Sequence, residues 1–118
     1  MPDPSEHETQ AEKNERFADE ISSNYTDYDD WLITSKFYAA LHYVDCTLVN
    51  DDRQANNHTD RKNMMKDSRD VSPRAFSLYK SLYEMSLRSR YECMEVESRH
   101  ISRAEKCLVG IKSQLGFS

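Results

Sequence analysis

His58 is the residue of this sequence best suited to handling a phosphate. It lies in DDRQANNHTDR, the most polar stretch of the chain, with Arg53 and Arg61 close on either side. Asn57 or Thr59 can cap a short helix starting there, and a helix N-terminus offers free N–H groups to an anion. A phosphate at that point meets those groups, Arg61 and His58 together. A second set is Arg88, Arg90 and Tyr91 in LRSRYE. Two guanidinium groups beside an aromatic ring suit phosphate contact and base stacking. The plainer account of that set is surface ion pairing with Glu84 and Glu92, which contributes little.

The other histidines carry less. His42, inside FYAALHYV, reads as a core histidine satisfied by a tyrosine hydroxyl on a facing helix. His100 beside Arg99, and His7 near the N-terminus, are expected in solvent. No HExxH run and no zinc-type Cys/His spacing occurs, so neither a metal set nor a cofactor is expected. Cys46, Cys93 and Cys107 form no CxxC pair and read as reduced thiols of a cytoplasmic protein.

These residues must be positioned by helices. In Asp30 to Asn50, Ile33, Phe37, Ala40, Leu41, Val44 and Leu48 recur at three- and four-residue steps, and Trp31, Tyr38 and Tyr43 widen the stripe. A helix apolar around so much of its circumference is expected at the centre of the fold. A thinner pattern, Ala11, Phe17, Ala18 and Ile21, predicts a surface helix from about Glu6 to Ser23. A short helix is expected over about residues 59 to 68. Ser72-Pro73 then starts a helix carrying Phe76, Tyr79, Leu82, Tyr83 and Leu87. The spacing of Ile101, Ala104, Leu108, Ile111 and Leu115 predicts a last helix from about Glu95 to Gln114, stopped by Gly116.

The expected fold is all-α: an antiparallel up-and-down bundle of four main helices plus a short extra one. The 118 residues make one domain, about residues 10 to 118, after an acidic leader over about residues 1 to 9 that is expected to be disordered. With Gly110 and Gly116 as the only glycines, Gly-rich phosphate loops are excluded. No run approaches the roughly 18 apolar residues of a membrane span, so no membrane contact is expected. The net charge of −5 is unevenly spread. Residues 1–30 are strongly acidic, with Lys13 and Arg16 in opposition, whereas Arg53, Arg61, Lys62, Lys66, Arg69 and Arg74, and then Arg88, Arg90, Arg99 and Arg103, make the rest mildly basic.

Taken in order, FYAALHYVDCTL, NNHTDR, LYKSLYEMSLRSRY and AEKCLVGIKSQL resemble a small stand-alone HEPN-domain protein. The similarity rests on Phe37 to His42, on His58 followed by Arg61, and on Arg88, Arg90 and Tyr91. It implies an up-and-down bundle, often a homodimer, in a family tied to RNA and nucleotide metabolism. Many members are metal-independent ribonucleases acting as toxins or defence effectors. Others bind partners, often a small nucleotidyltransferase. Catalytic members share an Arg-x4-6-His motif near the start of the final helix, where His serves as acid or base and Arg stabilises charge on the phosphate. Here the final helix has Arg99-His100 with no gap, and the spacing occurs instead as Arg53-Gln-Ala-Asn-Asn-His58.

Three functional expectations follow. One is a non-catalytic or weakly catalytic module binding RNA phosphate, a nucleotide or a partner protein through His58, Arg61, Arg88, Arg90 and Tyr91. The second is a ribonuclease using Arg53 and His58 as catalytic pair. The third is a helical scaffold with no small-molecule site.

Overall fold

A computed structural model describes residues 2–50 and 54–117, and among them the chain is all-helical. Helix α1 spans Pro4–Asn24, and a single 3₁₀ turn at Thr26–Tyr28 leads into α2, Asp29–Asn50. Helix α3 spans His58–Asp67, α4 spans Pro73–Tyr91 and α5 spans Ser98–Leu115. This is the expected bundle of four main helices and a short one.

Local chemistry fixes the helix ends. Asp3 Oδ1 accepts from Glu6 N at 2.9 Å, and Glu6 Oε1 accepts from Asp3 N at 3.4 Å. With Pro4 pre-set for the first helical position, this reciprocal cap starts α1 earlier than its apolar pattern indicates. The expectation of a disordered leader through residue 9 is corrected accordingly: residues 4–9 are helical, and His7 is buried rather than solvated. Asn57 Oδ1 accepts from Asp60 N at 2.8 Å to start α3. Ser72 Oγ accepts from Ala75 N at 3.1 Å and donates to Gln114 Oε1 at 2.7 Å, joining the start of α4 to the end of α5. Helix α5 begins at Ser98 rather than Glu95, because Glu97 is its cap. Gly116, at φ 87°, ends it in the left-handed conformation that glycine adopts without penalty.

Helix α2 is the axis. Its 22 residues run about 33 Å through a molecule 40 Å long, and it packs on α1, α4, α5 and α3. Short connections fold α1 back along α2 and α4 back along α5. The buried core joins Ile33, Phe37, Val44 and Leu48 of α2 to Ala11 of α1, Tyr79 and Leu82 of α4, and Leu108 and Ile111 of α5. Cys46 and Cys107 are buried free thiols, and Cys93 is an exposed one.

Two apolar residues are not where the sequence pattern put them. Phe17 is 53 % exposed and Trp31 is 52 % exposed. Ala11, Ala18 and Ile21 form the seam of α1, and Phe17 projects beside it. Trp31 joins Phe17, Tyr25 and Tyr28 in a shallow apolar surface at the turn between α1 and α2. Among the described residues, no helix is long and apolar enough to cross a membrane.

Candidate functional site

The last turn of α4 sends its two arginines in different directions, because residues two apart on a helix point about 160° apart. Arg88 enters a cleft between α4 and α5 of about 490 Å³, lined also by Ser81, Glu84, Met85, Met94, Arg99, His100 and Arg103. Arg99 and Arg103, one turn apart on α5, face Arg88 across it. Arg99 Nε donates to Glu97 Oε2 at 2.9 Å in an exposed pair, which leaves much of its charge to solvent. Among the described residues neither Arg88 nor Arg103 has a carboxylate within ion-pairing distance, and the anticipated pairs with Glu84 and Glu92 do not form. Among the described residues, Glu84 is the one acid lining the cleft.

His100 is also corrected, from a solvated residue to a capping one. Its Nδ1 accepts from Glu97 N at 2.9 Å. In the neutral ring that fixes the proton on Nε2, which becomes a donor. The cleft therefore gathers three guanidinium groups and an imidazole N–H donor, all suited to phosphate oxygens.

Arg90 faces the other way and is fixed by neutral groups. Nη1 donates to Tyr38 Oη at 3.0 Å, Nε to Ser86 O at 3.2 Å and Nη2 to Ser86 Oγ at 3.2 Å. Its guanidinium lies 5.5 Å from the Tyr38 ring centre and 5.2 Å from that of Tyr91, which is 72 % exposed. Asp27, Asp29 and Asp30 border the same small cleft as Arg90 without pairing with it. The expected Arg88, Arg90 and Tyr91 element is thus divided: Arg90 and Tyr91 meet, and Arg88 belongs with α5.

His58 opens α3 and is half-buried, with ring centres of Tyr83 at 5.0 Å and Phe37 at 6.0 Å. Lys62 Nζ sits 4.5 Å from the Tyr83 ring centre. Burial, then the charges of Arg61, Arg90 and Lys62, push the His58 pKa below its ordinary value, with Asp45 in opposition. The shift favours the neutral ring.

Arg61, anticipated from sequence as a phosphate ligand, has its guanidinium engaged within the fold. It is buried, with Nε 2.7 Å from Asp45 Oδ1 and Nη2 3.0 Å from Asp45 Oδ2, and Nη1 lies 3.4 Å from His58 Nδ1. Burial opposes its charge, but the hydrogen bonds and charge of Asp45 prevail and raise its pKa. A buried guanidinium neutralised in this way is a structural pair. Tyr79 is buried beside it, and burial pushes its pKa up to about 12. Its hydroxyl makes no well-formed hydrogen bond among the described residues, but the Arg61 guanidinium beside it opposes the effect of burial. Arg53, the other half of the anticipated catalytic pair, lies outside the described residues.

One cluster has no counterpart in the sequence reading. His7 Nδ1 of α1 lies 3.1 Å from His42 Nδ1 of α2, and Asp45 is close to both. His42 is therefore partnered by histidine, not by a tyrosine. Burial, then the neighbouring His7, hold its pKa below the ordinary value against the pull of Asp45. The legible signal was His42-x-x-Asp45, a three-residue step that places both on one helix face. His7 lies one helical step before Ala11 at the thin start of the expected helix, where the pattern does not distinguish a buried residue from an exposed one.

Compared with known proteins, the chain matches no family model and no curated protein.

Proposed function

We propose that this chain is a HEPN-like module that binds RNA or nucleotide phosphate, non-catalytic or weakly catalytic, with its phosphate seat in the α4–α5 cleft. The observation that supports it most is the gathering of Arg88, Arg99, Arg103 and the His100 donor around one open space, with Arg88 and Arg103 unpaired among the described residues. Electrostatic attraction from such a set is strongest for a multiply charged anion. The exposed Tyr91 ring, held against Arg90, offers a base-stacking surface on the same last turn of α4. The ordered motifs from Phe37 to Tyr91 and the all-α bundle are compatible with the HEPN resemblance. That resemblance also brings a cytoplasmic homodimer and a small nucleotidyltransferase partner into the reading; light scattering of the purified chain tests the dimer.

Backbone and imidazole NMR spectra recorded during titration with a short single-stranded RNA test the site. Shifts concentrated at Arg88, Arg99, His100 and Arg103 support it. Shifts absent from these residues contradict it. Metal-free RNA cleavage that disappears in an Arg53→Ala/His58→Ala variant replaces the binding reading with the ribonuclease one.

A further inference from the structure

His7 stands near the start of α1 and His42 in the middle of α2, their Nδ1 atoms 3.1 Å apart. Asp45 follows one turn after His42. One ligand atom from each of the three lies within 4.8 Å of the others. His7 and Asp45 are buried and His42 is half-buried. We propose that His7, His42 and Asp45 form a binding site for a divalent transition-metal ion of the zinc class, held between α1 and α2.

The spacing suits such an ion. Zinc–nitrogen bonds of about 2.0–2.1 Å in a tetrahedron place two imidazole nitrogens roughly 3.3 Å apart. The His7–His42 separation reaches that value with a shift of a few tenths of an ångström and no helix movement. An Asp45 oxygen supplies the third corner, and the fourth is left for water, as in sites with three protein ligands. Asp45 is itself oriented by the two Arg61 hydrogen bonds of 2.7 and 3.0 Å, and ligating carboxylates are commonly held by such outer donors.

The same guanidinium decides which ion fits. Its charge opposes a second cation at Asp45, so most of the affinity must come from the two imidazoles. Magnesium and calcium need several oxygen ligands and are disfavoured by one shared carboxylate. Zinc, nickel and copper favour imidazole nitrogen. Without metal, the two rings hold together through one Nδ1–H donated to the other Nδ1, which requires opposite tautomers; ligation through both Nδ1 atoms moves that proton to the same ring's Nε2.

The test uses Co²⁺ as a spectroscopic probe and Zn²⁺ as a competitor, on the full chain freed of metal by a chelator. Stoichiometric Co²⁺ is expected to give the visible absorption of a low-coordinate nitrogen-ligated ion, and Zn²⁺ to remove it and raise Tm. In His7→Gln the Zn²⁺ affinity should fall by at least about 10-fold, with the rise in Tm lost. A rise in Tm that survives in His7→Gln, as from binding at Cys93 or His100, overturns the proposal, as does the absence of Co²⁺ binding. Should His7→Gln fail to fold, imidazole NMR of the wild-type chain decides: Zn²⁺-induced shifts centred on His7 and His42 support the site, and shifts centred on His58 or His100 overturn it.

Discussion

Tyr79 and Asp45 lie on either side of Arg61 in energetic terms. Tyr79 brings a buried hydroxyl with no well-formed hydrogen bond among the described residues, set beside the Arg61 guanidinium. Removing that hydroxyl in Tyr79→Phe should change Tm little, because it removes at most a weak contact to a guanidinium already paired with Asp45. Asp45→Ala has a larger consequence, because it strands the buried Arg61 charge. A loss of about 3–5 kcal/mol is expected, read by urea unfolding of metal-free protein. If the two variants behave alike, the Arg61–Asp45 pair is not the structural contact described here. His58 adds a pH dependence. It is faced by Arg61 and Lys62 of α3, Arg90 of α4 and Asp45 of α2, and its folded pKa lies below the unfolded value near 6.5. Its contribution to stability is therefore full above about pH 6.5 and is lost as pH falls through the folded pKa. His58→Gln should flatten the acid side of the stability curve relative to wild type. At this scale the sequence was a partial guide. It marked His58, Arg88 and Arg90 as distinctive, but whether an arginine is free or neutralised depends on a carboxylate sixteen residues away, as Arg61 and Asp45 show.

Helices were the most readable level. The stripe from Ile33 to Leu48 marks α2 as the buried axis, and Ser72-Pro73 and Gly116 mark ends that the structure contains. Periodicity reads well here because a helix surrounded by neighbours has to be apolar at every step that meets one. Caps read less well. The first turns of α1 hold only Ala11 as an apolar residue near the start, so the Asp3–Glu6 box carries the signal that periodicity lacks. Asp3→Ala should lower Tm by removing the acceptor of this cap. Hydrogen exchange should show the loss first at the amides of the α1 start, and uniform loss across all helices would contradict a local cap. Phe17 and Trp31 mark the limit of the pattern: an apolar residue beside a seam is indistinguishable in sequence from one within it until the neighbouring helix is placed.

For the molecule as a whole, the decisive feature is where charge is left uncompensated. The acidic N-terminal part supplies Glu15 to Lys112, and α2 supplies Asp45 to Arg61. The end of α4 and the start of α5 keep Arg88 and Arg103 without a carboxylate within ion-pairing distance among the described residues. A chain of net charge −5 can therefore still present a local basic cleft. The most direct measurement is the affinity of a labelled single-stranded RNA, by fluorescence anisotropy across a series of salt concentrations, for wild type and for Arg88→Ala/Arg103→Ala. Phosphate binding in the cleft predicts at least about 10-fold weaker binding in the variant and a salt slope shallower by roughly 1.4, two lost contacts at about 0.7 each. Equal affinity and an equal slope in a folded variant would contradict it.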